Sequence, residues 1–246
     1  NIPGLSFQSD SNGDGRVLGG GPSYPTVADL QPWLELNATL FRFPVLWNYI
    51  QPQIGSNLDS KILGVLDSLI EAVTASGRYA IVDVHNYARL NGMINGRDAP
   101  YNNKLFFFCL TRYVLHIFGL MNEPHDLGIL TWGRTIQYVV NRIRTVARTQ
   151  YILVPGTDWQ GITRWVQDSE RGLRHITDSS NKILYDVHKY FDDRGGGYSG
   201  TCHTFESGAF QAFVDAMEKL RKMAILTESW GAANGGCNQM LNDMLS

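Results

Sequence analysis

The sequence is poor in cysteine, has no long apolar run and carries almost no net charge. Each shortage excludes a class of protein. Three cysteines in 246 residues (Cys109, Cys202 and Cys237) are too few for a disulfide framework, and their spacing fits no zinc pattern. Lys plus Arg total 21 against 23 Asp plus Glu, a formal charge of −2, so nothing marks a nucleic-acid or anionic-membrane partner. The most apolar window, 105–121, is interrupted by Thr111, Arg112 and His116, short of the roughly 18 uncharged apolar residues of a membrane span. Residues 1–4 (Asn-Ile-Pro-Gly) show no basic n-region leading into an apolar h-region, so a secretion signal is expected to be already removed or never present. No linker or low-complexity tract divides the chain, which reads as a single domain over 1–246.

What is present is an alternation of short apolar runs and longer helical patterns. Strands are expected at 5–8, 40–45, 79–84, 116–121, 151–155, 183–187 and 224–227. Most are continuous apolar runs, the mark of strands buried on both faces of a parallel sheet. The clearest helix carries Ile136, Val139, Val140, Ile143, Val146 and Ala147 opposite Arg142, Arg144 and Arg148. A second spans 58–76, with Asp59 or Ser60 at its start and Gly77 at its end. Others are expected at 104–115, 208–223 and 237–245. Cys109 lies in an apolar run and reads as a buried thiol. Cys202 and Cys237 lie in Gly-rich surroundings and are the better candidates for a bridge. Asn37-Ala38-Thr39 is an N-glycosylation sequon.

Polar residues gather where these strands end: Arg42, His85-Asn86, Asn122-Glu123, His188 with Tyr190, and Glu228. The gaps are 43 residues from Arg42 to His85, 37 from His85 to Asn122 and 40 from His188 to Glu228, enough for one βα unit of about 30 or more residues each. Repeated βα units with polar strand ends are the layout of a (β/α)8 TIM barrel. A doubly wound open sheet would want G-x-G-x-x-G after its first strand, which neither residues 12–15 nor 19–21 supply, so the barrel is preferred.

Glu123 and Glu228, at the mouths of two such strands, would face each other across the barrel. Glycoside hydrolysis needs that pair: one carboxyl protonates the departing oxygen while the other attacks or activates water. A single strand-end Glu could equally cap a helix or pair with an Arg; the pair, surrounded by Arg, His and Tyr, favours catalysis. Each histidine alone would read as a satisfied core residue. No His-Glu-x-x-His spacing suggests a metal. Trp47, Trp159 and Trp230 follow strand ends and could stack on sugar rings or anchor loops, whereas Trp132 and Trp165 fall in helical patterns and read as packing residues.

Six stretches in order, 41–45, 81–89, 117–126, 152–160, 186–190 and 224–228, resemble the family 5 glycoside hydrolases, in particular fungal endo-β-1,4-glucanases. The resemblance implies a secreted retaining enzyme acting on cellulose or mixed-linkage β-glucan as a monomer, without cofactor or metal. It implies Glu123 as acid/base and Glu228 as nucleophile, with carboxyls about 5–5.5 Å apart. Glu123 would need a raised pKa, and Arg42 and Tyr190 would keep Glu228 ionised. Asn122 resembles the residue that contacts the sugar 2-hydroxyl. His85 and His188 resemble substrate-positioning and acid-tuning histidines, and Asn86 would support them. The runners-up are another family 5 specificity such as β-mannanase, and a catalytically weak carbohydrate-binding relative.

The match departs from the family in three places. Trp230 stands two residues beyond Glu228, where the family has small residues, and Leu90 stands where a Trp is common. Only the 18 residues 229–246 follow Glu228, room for one helix, so the eighth strand is expected to be missing, and 101–115 is short for a loop and helix. Two explanations follow, an incomplete sequence or a natural truncation, and intact mass against 27.6 kDa separates them.

Overall fold

The computed structural model describes residues 25–53, 56–90, 92–94, 115–192, 196, 199–202 and 206–245. The strand expected at 5–8, the helix at 104–115 and Cys109 lie outside the described residues.

Six strands, β1 (Leu40–Val45), β2 (Tyr79–Val84), β5 (His116–Gly119), β6 (Tyr151–Pro155), β7 (Ile183–Tyr190) and β8 (Met223–Trp230), form one sheet in that order. Every neighbouring pair is parallel. Strands β3 (Arg89–Leu90) and β4 (Met93–Ile94) make a separate small hairpin. Helices bridge the strands as parallel pairing requires. The helix α1 (Val27–Glu35) precedes β1, and α2 (Trp47–Ile50) with α3 (Ser60–Ala75) leads to β2. Next, α4 (Ile129–Arg144) joins β5 to β6, and α5 (Trp165–Asp168) with α6 (Glu170–Leu173) joins β6 to β7. Finally α7 (Ser207–Leu220) joins β7 to β8, and α8 (Gly235–Leu245) follows β8.

Local chemistry sets these boundaries. The Asp59 carboxylate accepts from the Lys61 and Ile62 amides at 2.9 and 3.0 Å, satisfying two orphan donors of α3. Gly77 ends that helix at φ +78°, a left-handed conformation that suits glycine. In α4 the residues Ile136, Val139, Val140 and Ile143 face inward as their spacing requires. Val146 is exposed instead, since the helix stops at Arg144. Arg144 leaves the polar face it was assigned: its guanidinium is buried and forks onto Asp178 at 2.6 and 2.8 Å. Trp132 and Trp165 pack in the core, as their helical setting implies.

Alternation along each strand divides the molecule into two apolar clusters. Outward residues such as Phe41, Phe43, Val82, Phe118, Val154 and Tyr185 meet the helices in the large core. Inward residues Ile81, Ile117 and Leu153, with Tyr151, Leu184 and Ile225 beside them, make a small interior floor. Above it the inward positions turn polar: Arg42, Asp83, Asp186 and Thr227. The sheet is curled, because the Arg42 guanidinium on β1 reaches Glu228 on β8, the opposite end of the strand order, at 2.5 Å. In a flat sheet six strands wide those ends would stand roughly 24 Å apart.

Candidate active site

The polar residues expected at strand ends converge at one mouth. Several sit on the strands themselves, since β7 and β8 run three residues beyond the expected 187 and 227 and carry His188, Tyr190 and Glu228 within them. Arg42 lies in the middle of β1.

Arg42 organises one half. One terminal nitrogen donates to Glu228 Oε2 at 2.5 Å, the other to Asp83 Oδ2 at 2.9 Å and Asn122 Oδ1 at 2.6 Å. Burial works against its charge, but Asp83, Glu228 and Asp186 outweigh that and raise its pKa. The other oxygen of Glu228 accepts from the Tyr190 hydroxyl. Burial pushes the Glu228 carboxyl up, yet Arg42, His188 and the Tyr190 hydrogen bond prevail and draw it down to about 2. The Tyr190 hydroxyl moves the opposite way, raised by burial and by the negative charge of Glu228. The Asp83 carboxylate also meets His85 Nδ1 at 2.9 Å.

Glu123 organises the other half. Its Oε1 lies 2.9 Å from His188 Nδ1, and its backbone adopts φ 44°, an uncommon left-handed conformation for a side-chain-bearing residue. The buried Gln160 Oε1 secures it by accepting the Glu123 amide at 2.5 Å. His188 Nε2 is 3.2 Å from Thr227 Oγ1, whose hydroxyl donates to Asp186 Oδ1 at 2.5 Å.

The halves meet closely: donor atoms of Glu123, His188 and Glu228 all lie within 4.8 Å of one another. That spacing would also admit a cation, but protein partners already engage these groups: His188 holds Glu123, while Arg42 and Tyr190 hold Glu228.

The aromatic residues separate. Trp159 is 43% exposed and stacks one indole face on His125, with ring centroids 3.7 Å apart and planes 7° apart. Its amide donates to the Pro124 carbonyl at 3.1 Å, tying this platform to the Glu123 segment. Trp230 ends β8 half-buried, in register with Tyr190. Trp47 corrects an expectation: it is 2% exposed in the large core, with Nε1 donating to Gln51, and offers no face at the mouth. It follows a strand end, but α2 begins there and turns its side chain under the helices. Asn86 is fully buried and spans the β1 and β2 ends, accepting from the Trp47 amide and donating to Asn48.

Four supporting residues escaped the sequence reading: Asp83, Gln160, Asp186 and Thr227. For two of them a signal exists, the repeated Asp-Val-His at 83–85 and 186–188. Two-residue spacing puts Asp and His on one face of a strand, the acid one step deeper.

Fold and site together define a glycoside hydrolase. The profile of Cellulase (glycosyl hydrolase family 5) matches residues 20–246. The chain is 34% identical over 259 residues to Endoglucanase 1 of Saitozyma flava, covering 100% of this chain and 75% of that protein. It is 37% identical over 235 residues to Endoglucanase EG-II of Hypocrea jecorina, covering 89% of this chain but only 56% of that protein. The crystal structure of Cel5A (EG2) from the same organism superposes with a TM-score of 0.80 at 36% identity, over 85% of this chain and 68% of that one. A structure of XacCel5A in complex with cellopentaose superposes with a TM-score of 0.88 at 26% identity, over 98% of this chain and 82% of that one. This chain belongs to glycosyl hydrolase family 5, and its fold is that of the family's barrel endoglucanases.

Proposed function

We propose that the chain is a secreted, retaining endo-β-1,4-glucanase that cleaves internal bonds of cellulose or mixed-linkage β-glucan as a single-domain monomer. One observation carries this reading: an oxygen of Glu123 and an oxygen of Glu228 lie within 4.8 Å. That suits direct attack by one carboxylate, whereas an inverting pair stands about 6.5–9.5 Å apart to admit a water between.

Glu228 is the nucleophile. A carboxylate held by Arg42 and Tyr190 stays ionised through any ordinary working pH and points one oxygen pair at a fixed place. It attacks the anomeric carbon and forms a glycosyl ester while Glu123 gives its proton to the departing glycosidic oxygen. Glu123 then takes a proton from water, whose oxygen attacks the ester and releases Glu228. Asn122 supports the glucose reading: its Oδ1 is fixed by Arg42, while its buried Nδ2 has no partner among the described residues and can donate to a sugar hydroxyl. Trp159 offers its uncovered face to a neighbouring ring. Secretion is supported by the Cys202–Cys237 disulfide, which joins the segment after β7 to α8. No helix among the described residues is long and apolar enough to cross a membrane.

Proton NMR of the products of cellopentaose hydrolysis tests the proposal. The β-anomer should appear first and then mutarotate; initial α-anomer would overturn the retaining assignment. Glu228→Gln should remove essentially all turnover, a loss of at least about 10³-fold for a missing nucleophile.

A further inference from the structure

Two of the polar residues that the mechanism above leaves unused are linked to the proposed acid through His188. Asp186 is buried, 2% exposed, and lies among β7 and β8 with Arg42 and Asp83 nearby. The presence of Thr227 and Glu228 on one face is due to an irregularity. The register between β7 and β8 runs Asp186 to Ile225 and Val187 to Leu226, then jumps from His188 to Glu228. In a regular strand Thr227 and Glu228 would face opposite sides. The bulge lets both consecutive side chains reach the mouth, Glu228 toward Arg42 and Thr227 toward Asp186 and His188.

The result is one chain: Asp186 Oδ1 to Thr227 Oγ1 at 2.5 Å, Thr227 Oγ1 to His188 Nε2 at 3.2 Å, His188 Nδ1 to Glu123 Oε1 at 2.9 Å. For an ionised Asp186, faced by Arg42, and a neutral His188 ring, proton arithmetic fixes its direction. A threonine hydroxyl holds one proton. When that proton goes to the Asp186 carboxylate, the hydroxyl oxygen must accept, and His188 must carry its proton on Nε2. Nδ1 then presents a lone pair to Glu123 and accepts only from a protonated carboxyl. Should Thr227 instead donate to His188, Nδ1 would carry the proton and favour ionised Glu123, the wrong state for the first step.

We infer that Asp186 and Thr227 are positioning residues that lock His188 in its Nε2–H tautomer and thereby keep the proton on Glu123. They touch no substrate and act through the ring. The inference rests on the assignment of Glu123 as the acid. Other groups that face the ring or its partners are Glu228, with Oε2 3.9 Å from Nε2, Tyr190 and Arg42, which both hold Glu228, and Asp83. The Thr227 hydroxyl engages Asp186 and His188 and none of these groups, so removing it alters the chain without removing a ligand of the nucleophile.

Two substrates separate this role from a merely structural one. Cellopentaose needs its leaving oxygen protonated; an aryl cellobioside with a strongly acidic phenol does not. In Thr227→Val, kcat/KM for cellopentaose should fall about tenfold, a part of the 10²–10⁴ of general acid catalysis, while the aryl substrate changes less than about twofold. The alkaline limb for cellopentaose should move to lower pH, since a free ring can offer Nδ1–H to the Glu123 carboxylate. Thr227→Ser should restore both readouts, and Asp186→Asn, whose amide can donate to Thr227 and reverse the chain, should reproduce the split. Equal losses on both substrates, an unmoved alkaline limb, or failure of serine to rescue would overturn the proposal. Glu123→Gln is the control: it too should spare kcat/KM for the aryl substrate, though not kcat, because Glu123 also takes the proton of the attacking water in the second step; if kcat/KM for the aryl substrate collapses as well, the acid assignment itself fails.

Discussion

Gly119 on β5 lies so close to Asp83 on β2 that a β-carbon there would stand 3.0 Å from Asp83 Cα and 3.1 Å from its Oδ1. The absent side chain is what admits a buried carboxylate to the barrel interior, where Asp83 receives both Arg42 and His85. Gly119→Ala should push β2 from β5 or turn the carboxylate from Arg42. Overpacking of this kind costs about 1–3 kcal/mol, so thermal unfolding should shift down by several degrees. Turnover of cellopentaose, measured well below the new midpoint, should fall further than partial unfolding explains. A variant with unchanged midpoint and unchanged kcat would show that the contact has no role.

Much of this arrangement is legible in the amino-acid order, and the exceptions have physical causes. The parallel strands announce themselves because strands covered on both faces must be apolar throughout, and the two glutamates stand out as a pair among Arg, His and Tyr, since either alone could cap a helix or pair with an arginine. Thr227 was invisible because period-two alternation sends it away from Glu228, and only a bulge, which local sequence does not encode, brings both to one side. Trp47 was misplaced for a related reason: nearness to a strand end says nothing about the direction in which the next helix turns. Asp83 and Asp186 could have been found, since each precedes a mouth histidine by two residues on the same strand face. The reach of Arg144 to Asp178 was hidden, because a pairing between residues 34 apart leaves no mark in helical periodicity.

Trp159 should contribute to binding and not to folding. One face of its indole is covered by His125 and the residue remains 43% exposed. Trp159→Ala should raise KM for cellopentaose roughly fivefold, about 1 kcal/mol of lost stacking, with kcat and the unfolding midpoint nearly unchanged. Isothermal titration of cellopentaose into the Glu228→Gln protein, with and without the tryptophan change, measures the same difference without turnover. Equal affinities would remove Trp159 from the substrate path.

The Cys202–Cys237 disulfide closes a loop of 35 residues between the segment after β7 and α8, enclosing α7 and β8 and with them Thr227 and Glu228. Chain entropy assigns such a closure about 2–4 kcal/mol. The double variant Cys202→Ser, Cys237→Ser should therefore melt several degrees lower in calorimetry, and reductant should lower the midpoint of the parent protein but not of the variant. A parent midpoint indifferent to reductant would contradict the prediction.

Arg42 is the residue whose replacement should change the pH dependence most plainly. Its two terminal nitrogens serve Glu228, Asp83 and Asn122 together, a fork that an ammonium group cannot reproduce. Glu228 is drawn to about 2 from an ordinary value of 4.5 because the attraction of Arg42 and its neighbours exceeds the cost of burial. A depressed carboxylate pKa contributes stability that is fully present above the unfolded value and is lost as pH falls toward the folded one, here between about 4.5 and about 2. In Arg42→Lys the burial cost persists while the geometry of attraction weakens, so the Glu228 pKa must rise. The acid limb of kcat/KM should move to higher pH, and kcat at the optimum should fall by about 10²-fold as the proposed nucleophile loses its orientation. The loss of stability on acidification should likewise begin at a higher pH than in the parent, read as thermal midpoints between pH 3 and pH 6. An acid limb that stays in place would mean that Tyr190 and His188 suffice to keep Glu228 ionised, and that Arg42 serves only to position Asn122 and Asp83.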